Sequence, residues 1–138
     1  MTPMSVPLLD LKAQHATIRD EVVGRVMQVI DDQVFILGAA VTTLEAEVAA
    51  LSRTKYAIGC ANGTDAILLA MRALDIGAGD EVVTSPFTFF ATAGTIHNVG
   101  AKPVFVDIDP ETFNIRPDLA AAAVTSRTKA VIPVDLFG

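Results

Sequence analysis

The four residues Asn62-Gly63-Thr64-Asp65 sit between a short apolar run, Tyr56-Ala57-Ile58, and an Ala/Leu-rich stretch ending at Met71. Strand, tight turn and helix are expected in that order. The opening turn of a helix carries backbone N–H groups without intrahelical partners and the positive end of the helix dipole, so it accepts an anion such as a phosphate. Gly63 allows close backbone approach or a positive φ, and Thr64 adds a hydroxyl donor. A plain turn capped by Thr64 or Asp65 fits the same four residues. Because a carboxylate repels a phosphate dianion, Asp65 is expected to offer its N–H and turn its side chain away.

A second group of candidates lies in 85–93, SPFTFFATA. Phe87, Phe89 and Phe90 could present a flat face to a planar cofactor, although at least two of the three are expected in the core. Asp107 and Asp109 suit a metal ion or an Asp-Pro turn, and the turn is favoured by Pro110. The single cysteine, Cys60, cannot form an internal disulfide and is expected to act as a small buried hydrophobe. No Cys/His spacing suggests a metal site. His15 is read as a solvated surface histidine, and Asp135 occupies a ligand-facing position in principle.

The elements that must hold these groups follow from periodicity. Pro3 and Pro7 make 1–10 an extended arm. Ile18, Val22, Val26 and Val29 or Ile30 recur at helical spacing, and Leu44, Val48 and Leu51 mark a second helix over 41–51 with Thr42 and Glu45 spaced as a capping box. From Tyr56 onward, apolar β-branched runs at 56–60, 81–84, 104–108 and 130–134 alternate with helical segments at 88–99 and 117–124. Such alternation predicts an α/β fold with a mainly parallel sheet flanked by helices, and in these sheets ligands sit at the carboxyl ends of the strands.

Composition narrows the function. A length of 138 residues with 51% hydrophobic residues is ample for a buried core. The net charge of −6, without a run of Lys or Arg, disfavours nucleic acid and anionic membrane as partners. No apolar run reaches the roughly 18 residues of a membrane span, and no secretory signal pattern opens the chain, so a cytoplasmic protein is expected. Neither G-x-x-x-x-G-K-[ST] nor a G-x-G-x-x-G after the first strand occurs. A phosphate carried on a planar ring is the better match.

Seven motifs in order resemble the DegT/StrS-type nucleotide-sugar aminotransferases. They are Leu9-Asp10-Leu11, Phe35-Ile36-Leu37-Gly38 before Leu44-Glu45, Ala61-Asn62-Gly63-Thr64-Asp65-Ala66, Gly77-Ala78-Gly79-Asp80-Glu81-Val82, 87–93, Gly100-Ala101-Lys102-Pro103-Val104, and Val106-Asp107-Ile108-Asp109-Pro110 with Phe113-Asn114-Ile115. The resemblance implies a pyridoxal-phosphate enzyme of the aspartate-aminotransferase fold (fold type I). Such an enzyme is usually a homodimer and moves an amino group, commonly from glutamate, to a nucleotide-linked keto-sugar. It implies a cofactor site of Gly63, Thr64, Asp65 and Phe89, in which the backbone N–H groups of Thr64 and Asp65, with the Thr64 hydroxyl, hold the phosphate and Phe89 stacks on the pyridine ring.

The same resemblance divides the chain into an arm with two helices at 1–52 and an incomplete α/β cofactor-binding domain at 53–138. The family's pyridine-nitrogen acid and Schiff-base lysine lie at positions beyond Gly138, and none of Lys12, Lys55, Lys102 or Lys129 matches the lysine. No catalytic residue is therefore assigned, and an amino-terminal fragment inactive by itself is expected. The implied sheet also leaves 56–60 without neighbouring strands, exposing an edge. A non-catalytic cofactor-binding or interaction module, and a dehydratase with histidine in place of lysine, are the alternatives.

Overall fold

The computed structural model describes residues 9–138, so most of the expected arm at 1–10 lies outside the described residues. The chain divides between Gly59 and Cys60 into two compact units.

In the first unit, α1 spans Leu11–Asp32 and α2 spans Ala39–Leu51. Asp10 caps α1, its carboxylate accepting the Ala13 N–H at 3.0 Å. Gln33 ends the helix in the left-handed region at φ 55°. The capping box expected from Thr42 and Glu45 does not form, because α2 begins earlier. Gly38 takes the cap position, and its carbonyl accepts the N–H groups of Val41 and Thr42 at 3.0 and 3.3 Å. A Cβ at position 38 would come within 2.8 Å of Val34 Cγ1, so the close turn itself demands glycine. Glu45 instead accepts the Gly59 N–H through Oε1 at 2.7 Å. No residue of α1 or α2 is buried, and Ile18, Val22, Val26, Leu44, Val48 and Leu51 all stay exposed. The strand expected over 56–60 is absent from the sheet; Tyr56 and Ile58 are exposed, with no paired strand among the described residues to cover them.

The second unit contains α3 (Gly63–Ala73), β1 (Glu81–Thr84), α4 (Phe90–Asn98), β2 (Lys102–Phe105), α5 (Pro117–Ala122) and β3 (Thr128–Ile132). The strands form a parallel sheet in the order β2-β1-β3. β1 is central and buried along its length, with Val82 and Val83 fully enclosed, as expected of a strand covered on both faces. Val82 packs with Met71, Ile76, Ile96, Val99 and Ala101, and Ile67, Leu68, Ala130 and Ile132 close around that core. Burying each Ile or Val side chain contributes about 1.5–3 kcal/mol. Gly100, at φ 86°, lets the chain reverse after α4, with its N–H donated to the His97 carbonyl at 2.9 Å.

Element boundaries differ from the sequence pattern for local reasons. β2 starts at Lys102 and tolerates Pro103 because it is an edge strand. It ends before the Asp107 carboxylate accepts the Ile108 N–H at 2.8 Å, and Ile108 then makes an isolated antiparallel bridge with Ile115. β3 runs from Thr128 and stops before Pro133.

Candidate functional site

Asn62 sits extended at φ −166° and ψ 174° immediately before α3. Its Oδ1 accepts the Asp65 N–H at 3.0 Å, its Nδ2 donates to Asp65 Oδ2 at 3.0 Å, and its carbonyl accepts the Ala66 N–H at 3.0 Å. The cap is therefore Asn62, not Thr64 or Asp65. Asp65 does turn its carboxylate aside, but its N–H is donated to Asn62. The N–H groups of Gly63 and Thr64 donate to no protein acceptor among the described residues. These two donors, with the Thr64 hydroxyl beside them, are the part of the helix end left for an anion.

Gly63 is not in the left-handed region, so only close approach accounts for it. A Cβ built there meets nothing within 4 Å.

Thr64 and Phe89 line the same cleft of about 730 Å³, walled by Phe90, Ala91, Gly94 and Pro103. Phe89 precedes α4 at the carboxyl end of β1, and its ring is 74% exposed. The loop presenting it is pinned from beneath. Ser85 Oγ accepts the Phe87 N–H at 3.0 Å, the hydroxyls of Thr88 and Thr92 pair at 2.8 Å, and the Phe89 carbonyl accepts the Thr92 N–H at 3.1 Å. Thr84 Oγ1 donates to the Ile132 carbonyl at 2.9 Å, tying β1 to β3 just before that loop.

The expectation that at least two of Phe87, Phe89 and Phe90 are core is overturned. They are 40%, 74% and 82% exposed. Helix α4 turns Ala91, Thr92, Thr95 and Ile96 inward, so the buried face of the helix does not include Phe90. Phe87 joins Phe113 and Phe137 instead, with centroids 5.8 and 6.3 Å away.

The remaining candidates fall away from the cleft. Cys60 is exposed rather than buried, because 56–60 has no neighbouring strand, and its S–H donates to the Asn62 carbonyl at 3.3 Å. Asp109 builds the turn, accepting the N–H groups of Thr112 at 2.8 Å and Glu111 at 3.0 Å. Those backbone donors hold its carboxyl below the usual carboxylate range. Among the described residues no cluster of His, Cys, Asp and Glu forms a metal site, and no helix is long and apolar enough to cross a membrane. His15 and Asp135 are exposed, and Lys102 lies at the amino end of its strand, 3.9 Å from Glu81. Asn62 was missed as the cap, although an Asn with an acid three residues later carries that signal.

The residues from Cys60 onward thus form a parallel α/β sheet in which Thr64 and Phe89 share one cleft and the helix end at Gly63 and Thr64 keeps two donors unpaired among the described residues. The chain belongs to the DegT/DnrJ/EryC1/StrS aminotransferase family, whose model matches residues 16–138. It is 56% identical over 98% of its length to a pleiotropic regulatory protein of Geobacillus stearothermophilus, covering 36% of that protein. It is 50% identical over 97% of its length to the UDP-N-acetyl-3-dehydro-alpha-D-glucosamine 3-aminotransferase of Acidithiobacillus ferrooxidans, again covering 36% of it. The structure of NtdA from Bacillus subtilis with bound cofactor PMP matches all of this chain with a TM-score of 0.90 and 30% identity, over 32% of NtdA. The chain thus spans about a third of the length of the relatives it matches.

Proposed function

We propose that these residues form the amino-terminal part of the cofactor site of a pyridoxal-phosphate enzyme. The enzyme moves an amino group, from glutamate, to a nucleotide-linked keto-sugar. The observation that carries this is the shared cleft of Thr64 and Phe89 beside the unpaired N–H groups of Gly63 and Thr64. The residues fit the cofactor: two backbone donors and a hydroxyl for the phosphate, open space beside the Gly63 Cα, and an exposed ring for the pyridine face. When bound, pyridoxal phosphate supplies the electron sink for amino transfer. Gly63 and Thr64 bind its phosphate, Asp65 keeps its charge out of the cleft, and Phe89 orients the ring and excludes water from one face. A cytoplasmic homodimer is part of the proposal, supported by the apolar positions left exposed along α1 and α2.

The test is cofactor titration and glutamate-dependent amination of UDP- and dTDP-linked keto-sugars by the full-length protein. Phe89→Ala is expected to raise the cofactor Kd about tenfold, the loss of one aromatic stack; unchanged affinity and absorbance spectrum would remove Phe89 from the site. No lysine lines the cleft among the described residues. Residues 1–138 expressed alone are therefore expected to show no amino transfer, and measurable turnover by them would refute the assignment of the reactive lysine to another part of the protein.

The Geobacillus relative is named as a regulatory protein, and α1 and α2 bury none of their residues. A partner-binding module that keeps the cofactor without catalysis is the second reading. Cofactor binding by the full-length protein with no amination of any keto-sugar would select it.

A further inference from the structure

Asn62 grips Asp65 twice, through its acceptor and its donor, and the two bonds do different things. The first, from the Asp65 N–H to Oδ1, caps α3 and removes one of its three leading N–H groups from competition for a ligand. The second, from Nδ2 to Asp65 Oδ2 at 3.0 Å, holds a carboxylate at the third position of the helix. An acid there is favoured by the helix dipole, yet it lies one residue from the donors that face the anion site. Thr64 lines the cleft, and neither Asn62 nor Asp65 does. A carboxylate released from Asn62 lies next to a helix end whose Asn62, Gly63 and Thr64 N–H groups have no protein acceptor among the described residues, the last two being the donors a phosphate needs.

We infer that Asn62 is a positioning residue for the anion site: its side-chain amide keeps the Asp65 carboxylate from folding back onto the helix end and occupying the phosphate's place. The inference rests on the proposed phosphate site at Gly63 and Thr64. It assigns Asn62 no contact with ligand, and it makes the harm done by losing Asn62 depend on the charge of Asp65.

The experiment is a set of binding titrations on the full-length protein, using pyridoxal phosphate and, as the phosphate-free probe, pyridoxal. Asn62→Ala is expected to weaken pyridoxal phosphate about tenfold, the combined effect of a lost cap and a released charge. Its affinity for pyridoxal stays that of the wild type, which also shows that the variant is folded. Asp65→Asn is titrated as the single-variant reference for the double variant. The double variant Asn62→Ala/Asp65→Asn recovers to within about threefold of wild type, a rescue that a purely capping role does not produce. Failure of that rescue, with the wild type still preferring the phosphorylated ligand, overturns the inference alone, as does an equal loss for both ligands. A wild type that binds both equally overturns the phosphate site and the inference with it.

Discussion

Replacing Gly63 with valine is expected to abolish cofactor retention in the full-length protein while leaving its fold and the melting temperature of the cofactor-free protein unchanged. The backbone at Gly63 lies outside the left-handed region, and a Cβ there meets no atom within 4 Å, so the protein itself does not require glycine at this position. A residue at the first helical position has its Cα–Cβ bond tilted toward the helix amino terminus. The valine side chain therefore projects into the space faced by the unpaired N–H groups of Gly63 and Thr64. Each hydrogen bond to a charged group is worth about 1.5–3 kcal/mol, and two backbone donors plus a hydroxyl are blocked together. A rise in Kd of about a hundredfold or more follows, measured by absorbance or fluorescence titration with pyridoxal phosphate. An affinity within about threefold of wild type would place the phosphate elsewhere. Gly38 provides the contrast: there the Val34 side chain leaves no room for a Cβ, and the same substitution is expected to damage the turn before α2.

How far the sequence carried the structure depends on how local each determinant was. The helix after Gly63, the Glu81–Thr84 strand and the helix through Ile96 were legible because their apolar residues repeat at the period of the element that buries them. That Thr64 and Phe89 would meet at one end of the sheet was legible by topology, since Phe89 follows a parallel strand at its carboxyl end. Burial of the phenylalanines was not legible, because hydrophobicity says that a ring prefers the interior but not that α4 would present small residues there. The missing strand at 56–60 failed for a different reason. Its composition is that of a strand, but pairing is a property of neighbours, and the described residues provide none for it. Thr42 and Glu45 had the spacing of a capping box, yet the sterically enforced turn at Gly38 fixed the helix start upstream of them. The cap was expected at Thr64 or Asp65, and spacing alone does not rank Asn62 above them; its bond from the Asp65 N–H places the helix start earlier than Thr64 would.

Acid below pH 4.5 is expected to loosen the amino end of the sheet through one residue, Glu81. It opens β1, its side chain is 5% exposed, and it gathers donors from the segments leading into both flanking strands. Thr125 Oγ1 donates to Oε2 at 2.7 Å, Arg127 Nη2 to Oε1 at 2.7 Å, and Lys102 Nζ stands 3.9 Å from Oε1. The Thr125 hydroxyl first, then Arg127 and Lys102, outweigh burial and hold the carboxyl below its ordinary value of 4.5. A lowered folded-state pKa means that the unfolded chain takes up the proton first as pH falls. The stabilisation is whole above pH 4.5 and is lost as the pH drops through the folded value. Lys102 and Arg127 are largely exposed, so salt screens their share, whereas the Thr125 bond to a carboxylate removed from water is insensitive to it. Glu81→Gln removes the charge at every pH. The variant is expected to melt below wild type at neutral pH and to converge on it as the pH falls below 4.5. Amide hydrogen exchange at Val82 and Val83 reports the same loss locally, since both amides lie on the strand Glu81 begins. Melting curves of the two proteins that stay parallel from neutral pH down through that window would show that the Glu81 cluster does not set the acid limit of this sheet. Because β1 also delivers the loop carrying Phe89, opening at its amino end is expected to weaken cofactor binding only after the strand itself exchanges, in wild type and variant alike.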